Sequence, residues 1–143
     1  MNRIYATVIS AALLYTGLAM AGDFEGERDM LCASQLVNEC LPGTACNMVT
    51  AQDVNLPNFF HVDVTDRIIT GKHDGGIEAS TPIERIEQLD GKLILQGADD
   101  GNSNTPDGAG WTMVINANTG SMLLTAAGDG FAVVVSGACM LDG

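Results

Sequence analysis

A chain of 143 residues with 18 acidic and six basic side chains, formally −12 at pH 7, can bury the core of one domain and is too acidic to grip phosphate. That charge repels nucleic acid and anionic lipid headgroups, and no cluster of Lys or Arg offsets it, so nucleic-acid binding is excluded. It would attract a cationic partner, beside its ordinary effect on solubility.

The first element is a leader. Arg3 precedes an apolar run, Ile4 to Met20, and Ala19-Met20-Ala21 supplies the small-x-small pattern of a signal-peptidase site. The run is spotted with Thr7 and Ser10 and falls short of the roughly 20 predominantly apolar residues of a membrane span. Residues 1–21 are therefore expected to be a cleavable signal peptide, and residues 22–143 a single disulfide-stabilised domain without a stable membrane anchor. Cleavage removes Arg3 and no acid, which takes the charge from −12 to −13.

The cysteines Cys32, Cys40, Cys46 and Cys139 all follow the leader. An even number in a small exported domain predicts two disulfides. Gaps of seven, five and 92 residues contain no C-x2-C knuckle for zinc, and no C-x-x-C-H exists for covalent haem. Between Glu27 and Cys40, apolar residues at Met30, Leu31, Ala33, Leu36, Val37 and Cys40 recur at spacings of three and four. This predicts an amphipathic helix ended by Pro42-Gly43. On a continuous helix Cys32 and Cys40 would stand about 12 Å apart along the axis. That is too far for a bridge, so the pairings left are 32–46 with 40–139, or 40–46 with 32–139. Thr50-Ala51-Gln52-Asp53 looks like an N-cap before at most one helical turn. The Cys-bearing segment is expected to span 22–57.

From residue 58 the period becomes two. Phe60, Val62 and Val64 alternate with Phe59, His61 and Asp63, and a short strand follows at Arg67 to Thr70. Asp90-Gly91 joins the apolar runs Ile86 to Leu89 and Lys92 to Leu95, a two-residue hairpin signal. Thr81-Pro82-Ile83-Glu84 competes as a helix start, but only eight residues are available to such a helix. A second hairpin runs from Trp111 to Ala117, turns at Asn118-Thr119-Gly120 and returns over Ser121 to Ala126. Phe131 to Val135 reads as a strand buried on both faces. The fold expected over 58–143 is a mainly β, small antiparallel meander closing into a barrel or sandwich, with the N-terminal helix tied on by disulfides.

Few residues suggest chemistry. Asp100, Asn102 and Asn104 open an EF-hand-like spacing in the polar stretch Gly97 to Gly110, but Thr105 and Trp111 replace the turn glycine and the bidentate Glu. A solvated Asx-rich turn is expected there. With Trp111 these residues could form a binding rim, while a core tryptophan is the commoner outcome. His61 and His73, near Asp63 and Asp74, read as an outward strand histidine and a loop histidine rather than a metal pair. Ser136-Gly137 lacks a nucleophile elbow, Gly75-Gly76 lacks the context of a phosphate loop, and carboxylate pairs such as Glu84/Glu87 and Asp99/Asp100 are expected by chance among so many acids. No catalytic residue, metal or cofactor is expected.

Phe24-Glu25-Gly26-Glu27-Arg28, Leu31-Cys32-Ala33, Glu39-Cys40-Leu41-Pro42-Gly43 with Cys46, Leu93-Ile94-Leu95-Gln96-Gly97, Gly110-Trp111 and Gly137-Ala138-Cys139 span nearly all of residues 22–143. In these segments the chain resembles a group of short signal-bearing proteins of Gram-negative bacteria that carries no assigned activity. The resemblance implies an envelope or periplasmic address and a bond between Cys139 and the N-terminal cysteine cluster. The functional expectation is a periplasmic or secreted, non-enzymatic binding or structural module for an unknown protein or small ligand. It would present the loops Gly97–Gly110 and Lys72–Ser80 to that partner. The alternatives are an inhibitor of a cationic hydrolase such as lysozyme and a small secreted hydrolase.

Overall fold

The computed structural model describes residues 24–73, 75–101 and 108–142, so the leader, Asp74, Asn102 and Asn104 lie outside the described residues. The described chain is an antiparallel β protein. Its strands are β1 (Met30–Cys40), β2 (Asn47–Val49), β3 (Phe59–Asp63), β4 (Ile68–Lys72), β5 (Glu78–Pro82), β6 (Arg85–Leu89), β7 (Lys92–Asp99), β8 (Ala109–Asn116), β9 (Ser121–Gly128) and β10 (Phe131–Leu141).

The N-terminal helix is not formed. Met30 to Cys40 is strand β1, paired along its length with β10 and on its other side with β3 and β2. The reason lies in a bulge between Ser34 and Leu36. Met30 and Cys32 face inward before it and Val37 after it, so the inward set loses its strict alternation. The outward positions Leu31, Ala33 and Leu36 are apolar as well. The two faces together imitate helical spacing, and long-range pairing with β10 decides the outcome. Gln52–Val54 is a single 3-10 turn, the only helical element among the described residues.

The neighbours in the sheet run β5-β4-β3-β1-β10-β9-β8-β7-β6, with β2 beside β1. Its two edge strands are thus consecutive in sequence, linked only by Ile83 and Glu84, and the sheet must curl into a half-barrel to bring them together. Glu78 to Leu89 is one bent ribbon whose first half pairs with β4 and second half with β7. Bonds from Ile83 N–H to the Arg67 carbonyl (2.8 Å) and from Glu84 N–H to the Gln96 carbonyl (2.9 Å) fix the bend. Thr81 Oγ1 reaches across the seam to the Ala98 carbonyl at 3.1 Å. Strand β5 was not legible as a strand, because Glu78-Ala79-Ser80-Thr81-Pro82 carries no apolar stripe. It exists as an edge of the curl.

The hairpins follow their turn residues. Asp90 and Gly91 both hold positive φ (51° and 68°), the two-residue turn whose twist matches the strands. β7 and β8 extend to Asp99 and from Ala109, which shortens the predicted loop from both ends. β10 is not buried on both faces: Val133 and Val135 are buried, while Ala132 and Val134 between them are half-exposed on an uncovered outer surface.

Large apolar side chains fill the inside of the curl, including Met30, Val62, Leu93, Leu95, Met113 and Ile115. Phe24 closes one end, its N–H on the Ala117 carbonyl and its ring against Gly120. Ala51 is buried at the segment that crosses toward Pro57, whose ring lies on Gly71.

Candidate functional site

The four cysteines form the bridges Cys32–Cys139 and Cys40–Cys46, one of the two pairings expected. Cys32 and Cys139 are directly opposed on β1 and β10 with Cα atoms 3.9 Å apart, and both are buried. Cys40–Cys46 closes the short turn between β1 and β2. Trp111 lies on the inward face of β8, 8% exposed, and its indole N–H donates to Thr81 Oγ1 at 3.0 Å. Gly97 on the paired strand leaves room for the ring where a Cβ would collide. Asp100 stands exposed just after β7, and Asp99 accepts the Gly101 N–H in a tight Asx turn.

His61 is on the outward face of β3 and its Nε2 is 3.0 Å from Asp142 Oδ2. Asp63 accepts the Asp66 N–H in the turn after β3. His73 takes part in the next turn, its N–H on the Ile77 carbonyl. The two histidines therefore belong to different local structures. Among the described residues no group of three or more His, Cys, Asp and Glu side chains is placed to hold a metal. Of the carboxylate pairs, Glu87 is bound to Arg85.

A different arrangement stands out on the outer surface. Strands β8, β9 and β10 contain no charged residue, and β1 contains only Glu39. On the outward face of this region Leu31, Leu36, Leu123 and Met140 are exposed, as is Phe59 at the start of the adjoining β3, Phe59 and Met140 by 60% and 62%. Register joins them: Leu31 is opposed to Met140 on one side and His61 on the other, and Ala33 to Phe59. Beside them, across β3 to β5, runs a groove lined by Leu31, Phe59, His61, Thr70, Lys72 and Glu78.

No protein-family model and no curated protein matches this chain. The site is therefore read from its own chemistry. Beside the groove's apolar floor, Asp142 holds His61 at 3.0 Å with Arg28 on its carbonyl at 3.3 Å, Glu78 pairs with Lys72 at 3.4 Å, and Asp63 follows on the same outward face of β3. Such a surface can bury apolar side chains and accept cations at its margin.

Sequence reasoning placed its rim at the polar loop and did not assemble this face. A signal for it exists: between Gly108 and Met140 the only charged residue is Asp129. In a chain with 24 charged side chains, such a stretch marks a surface kept free of charge.

Proposed function

We propose that the protein is an exported, non-enzymatic binding module that recognises a cationic protein partner. The observation that carries this reading is the uncharged, apolar outer face with carboxylates at its margin, on a domain of charge −13 once the leader is removed. Long-range attraction would concentrate a basic partner at the surface, and apolar burial would hold it. Several of the side chains weighed for catalysis are engaged elsewhere. All four cysteines are in bridges, His61 is tied to Asp142, and Glu87 to Arg85. Two disulfides are compatible with an oxidising compartment, and the sequence of residues 1–21 supports export to the periplasm or beyond.

Calorimetric titration of the oxidised domain, residues 22–143, with lysozyme at 20 mM and 200 mM NaCl tests the reading. Saturable binding that weakens with salt is expected; no heat at either salt concentration counts against it. A lysozyme inhibitor is the special case, supported by the charge alone, and loss of lysis activity in the same mixture distinguishes inhibition from simple binding.

A further inference from the structure

We propose that the groove between Leu31, Phe59 and His61 is the docking site for a cationic peptide segment, and that it takes one large apolar side chain of that segment between Phe59 and Leu31. The proposal rests on the reading of a cationic partner and adds the site and the anchor. Phe59 and Leu31 line the groove together, and Met140 continues the apolar surface as the direct cross-strand neighbour of Leu31. A side chain seated there would be removed from water on several sides, which is how a few anchors come to dominate an interface.

The backbone beneath is held covalently. Leu31 and Met140 precede and follow the cross-linked pair Cys32 and Cys139, so the outer pair sits over a disulfide on the inner face of the same two strands. Little ordering is then needed when a ligand arrives.

Charge selects the occupant. Asp142, which holds His61 beside Arg28, and Asp63 lie on the side of the β3–β4 turn, and Glu78, paired with Lys72, borders the opposite side. The preference for a cation therefore comes chiefly from the −13 of the whole domain. Lysines or arginines flanking the anchor would meet these carboxylates. A second copy of the chain would bring like charges to the same rim with −13 on each molecule, and is disfavoured.

The probes are two synthetic 11-residue peptides, identical and Lys-rich except that one carries Phe-Leu and the other Ser-Ser at the centre. Each is titrated by fluorescence anisotropy against the oxidised domain, with lysozyme as a further ligand. The Phe-Leu peptide is expected to bind at least tenfold more tightly. Phe59→Ser and Met140→Ser are each expected to shrink that ratio below threefold, whereas Leu89→Ser, an exposed leucine on another strand, leaves it unchanged. Both substituted positions are exposed, and the near-ultraviolet circular dichroism of Trp111 verifies folding. Equal binding of the two peptides, or a ratio that survives Phe59→Ser, overturns the groove while leaving cationic recognition standing. If neither peptide nor lysozyme binds at 20 mM NaCl, the reading itself fails. Sedimentation as a dimer that Phe59→Ser dissociates would assign the face to a second copy and also overturn the proposal.

Discussion

Arg67 holds a left-handed backbone, φ 55°, in the turn before β4, and from there its guanidinium reaches back to the bent ribbon. Nε donates to the Ile83 carbonyl at 3.1 Å and Nη2 to the Glu84 carbonyl at 2.7 Å. These carbonyls sit where the ribbon changes partners, so the fork supplies bonds the sheet cannot. Arg67→Ala is expected to lower the urea-unfolding free energy by about 1–3 kcal/mol. Arg67→Lys, with a point charge and no fork, should recover less than half of that loss. Gly137 is a second single-residue constraint. It is opposed to Ser34 at the bulge, and a Cβ there would run into the Ala33 carbonyl oxygen and the Met122 methyl. Backbone cannot yield as a flexible side chain can. Gly137→Ala should therefore cost about 1–3 kcal/mol, read as a lower melting temperature.

At the level of elements, the segment around Thr50 shows how far local chemistry reaches. Thr50 and Asp53 exchange bonds: Thr50 N–H and Oγ1–H donate to Asp53 Oδ2 at 2.9 and 2.7 Å, and Asp53 N–H donates to Thr50 Oγ1 at 3.2 Å. These are the reciprocal bonds of a capping box, set one residue ahead of Ala51, the N-cap position of the three-residue 3-10 turn, which itself makes no side-chain cap bond. The hydroxyl bond, and then the backbone bond, hold the Asp53 carboxyl below the ordinary range of an aspartate. A depressed value in the folded state means stabilisation that is present above the ordinary carboxylate range and lost as pH falls through the lowered value. An NMR titration should find Asp53 titrating below an unperturbed aspartate, and Thr50→Ala should raise it part of the way, since the hydroxyl bond is lost and the backbone bond stays. A value unaffected by that substitution would remove the cap from the account. The Asp90-Gly91 hairpin was legible for a similar reason, since its turn depends on two adjacent residues. β1 was not, because its inward set is interrupted by a bulge that only the partner strand reveals.

On the scale of the whole molecule, the two bridges differ in what they close. Cys32–Cys139 joins residues 107 apart and ties the first strand to the last; Cys40–Cys46 spans six. Chain entropy assigns about 4–5 kcal/mol to the long loop and about 2 kcal/mol to the short one. Removing Cys32 and Cys139 together should consequently shift the urea midpoint about twice as far as removing Cys40 and Cys46. Accessibility orders them in the same way. Cys46 is exposed whereas Cys32 and Cys139 are buried. Mild reduction of the native protein followed by alkylation and peptide mapping should label Cys40 and Cys46 first. Early labelling of Cys32 would show that the β1–β10 seam opens in the native state. The charge-free strands belong to this scale too: their outward residues become one surface only because β1, β10 and β9 lie side by side.

Composition, cysteine number, turn residues and alternation are properties of neighbours along the chain, and by themselves they determined an antiparallel, hairpin-built, disulfide-linked β domain. Which cysteines pair, that residues 30–40 form a strand, that Glu78 to Pro82 is one at all, and that Leu31, Phe59 and Met140 meet beside a groove were decided by tertiary structure alone. Most depend on residues far apart along the chain, Cys32 and Cys139 by 107 positions, being brought to hydrogen-bonding or van der Waals distance. A sequence window cannot contain both sides of such a contact, whereas the curl of the sheet creates them all at once.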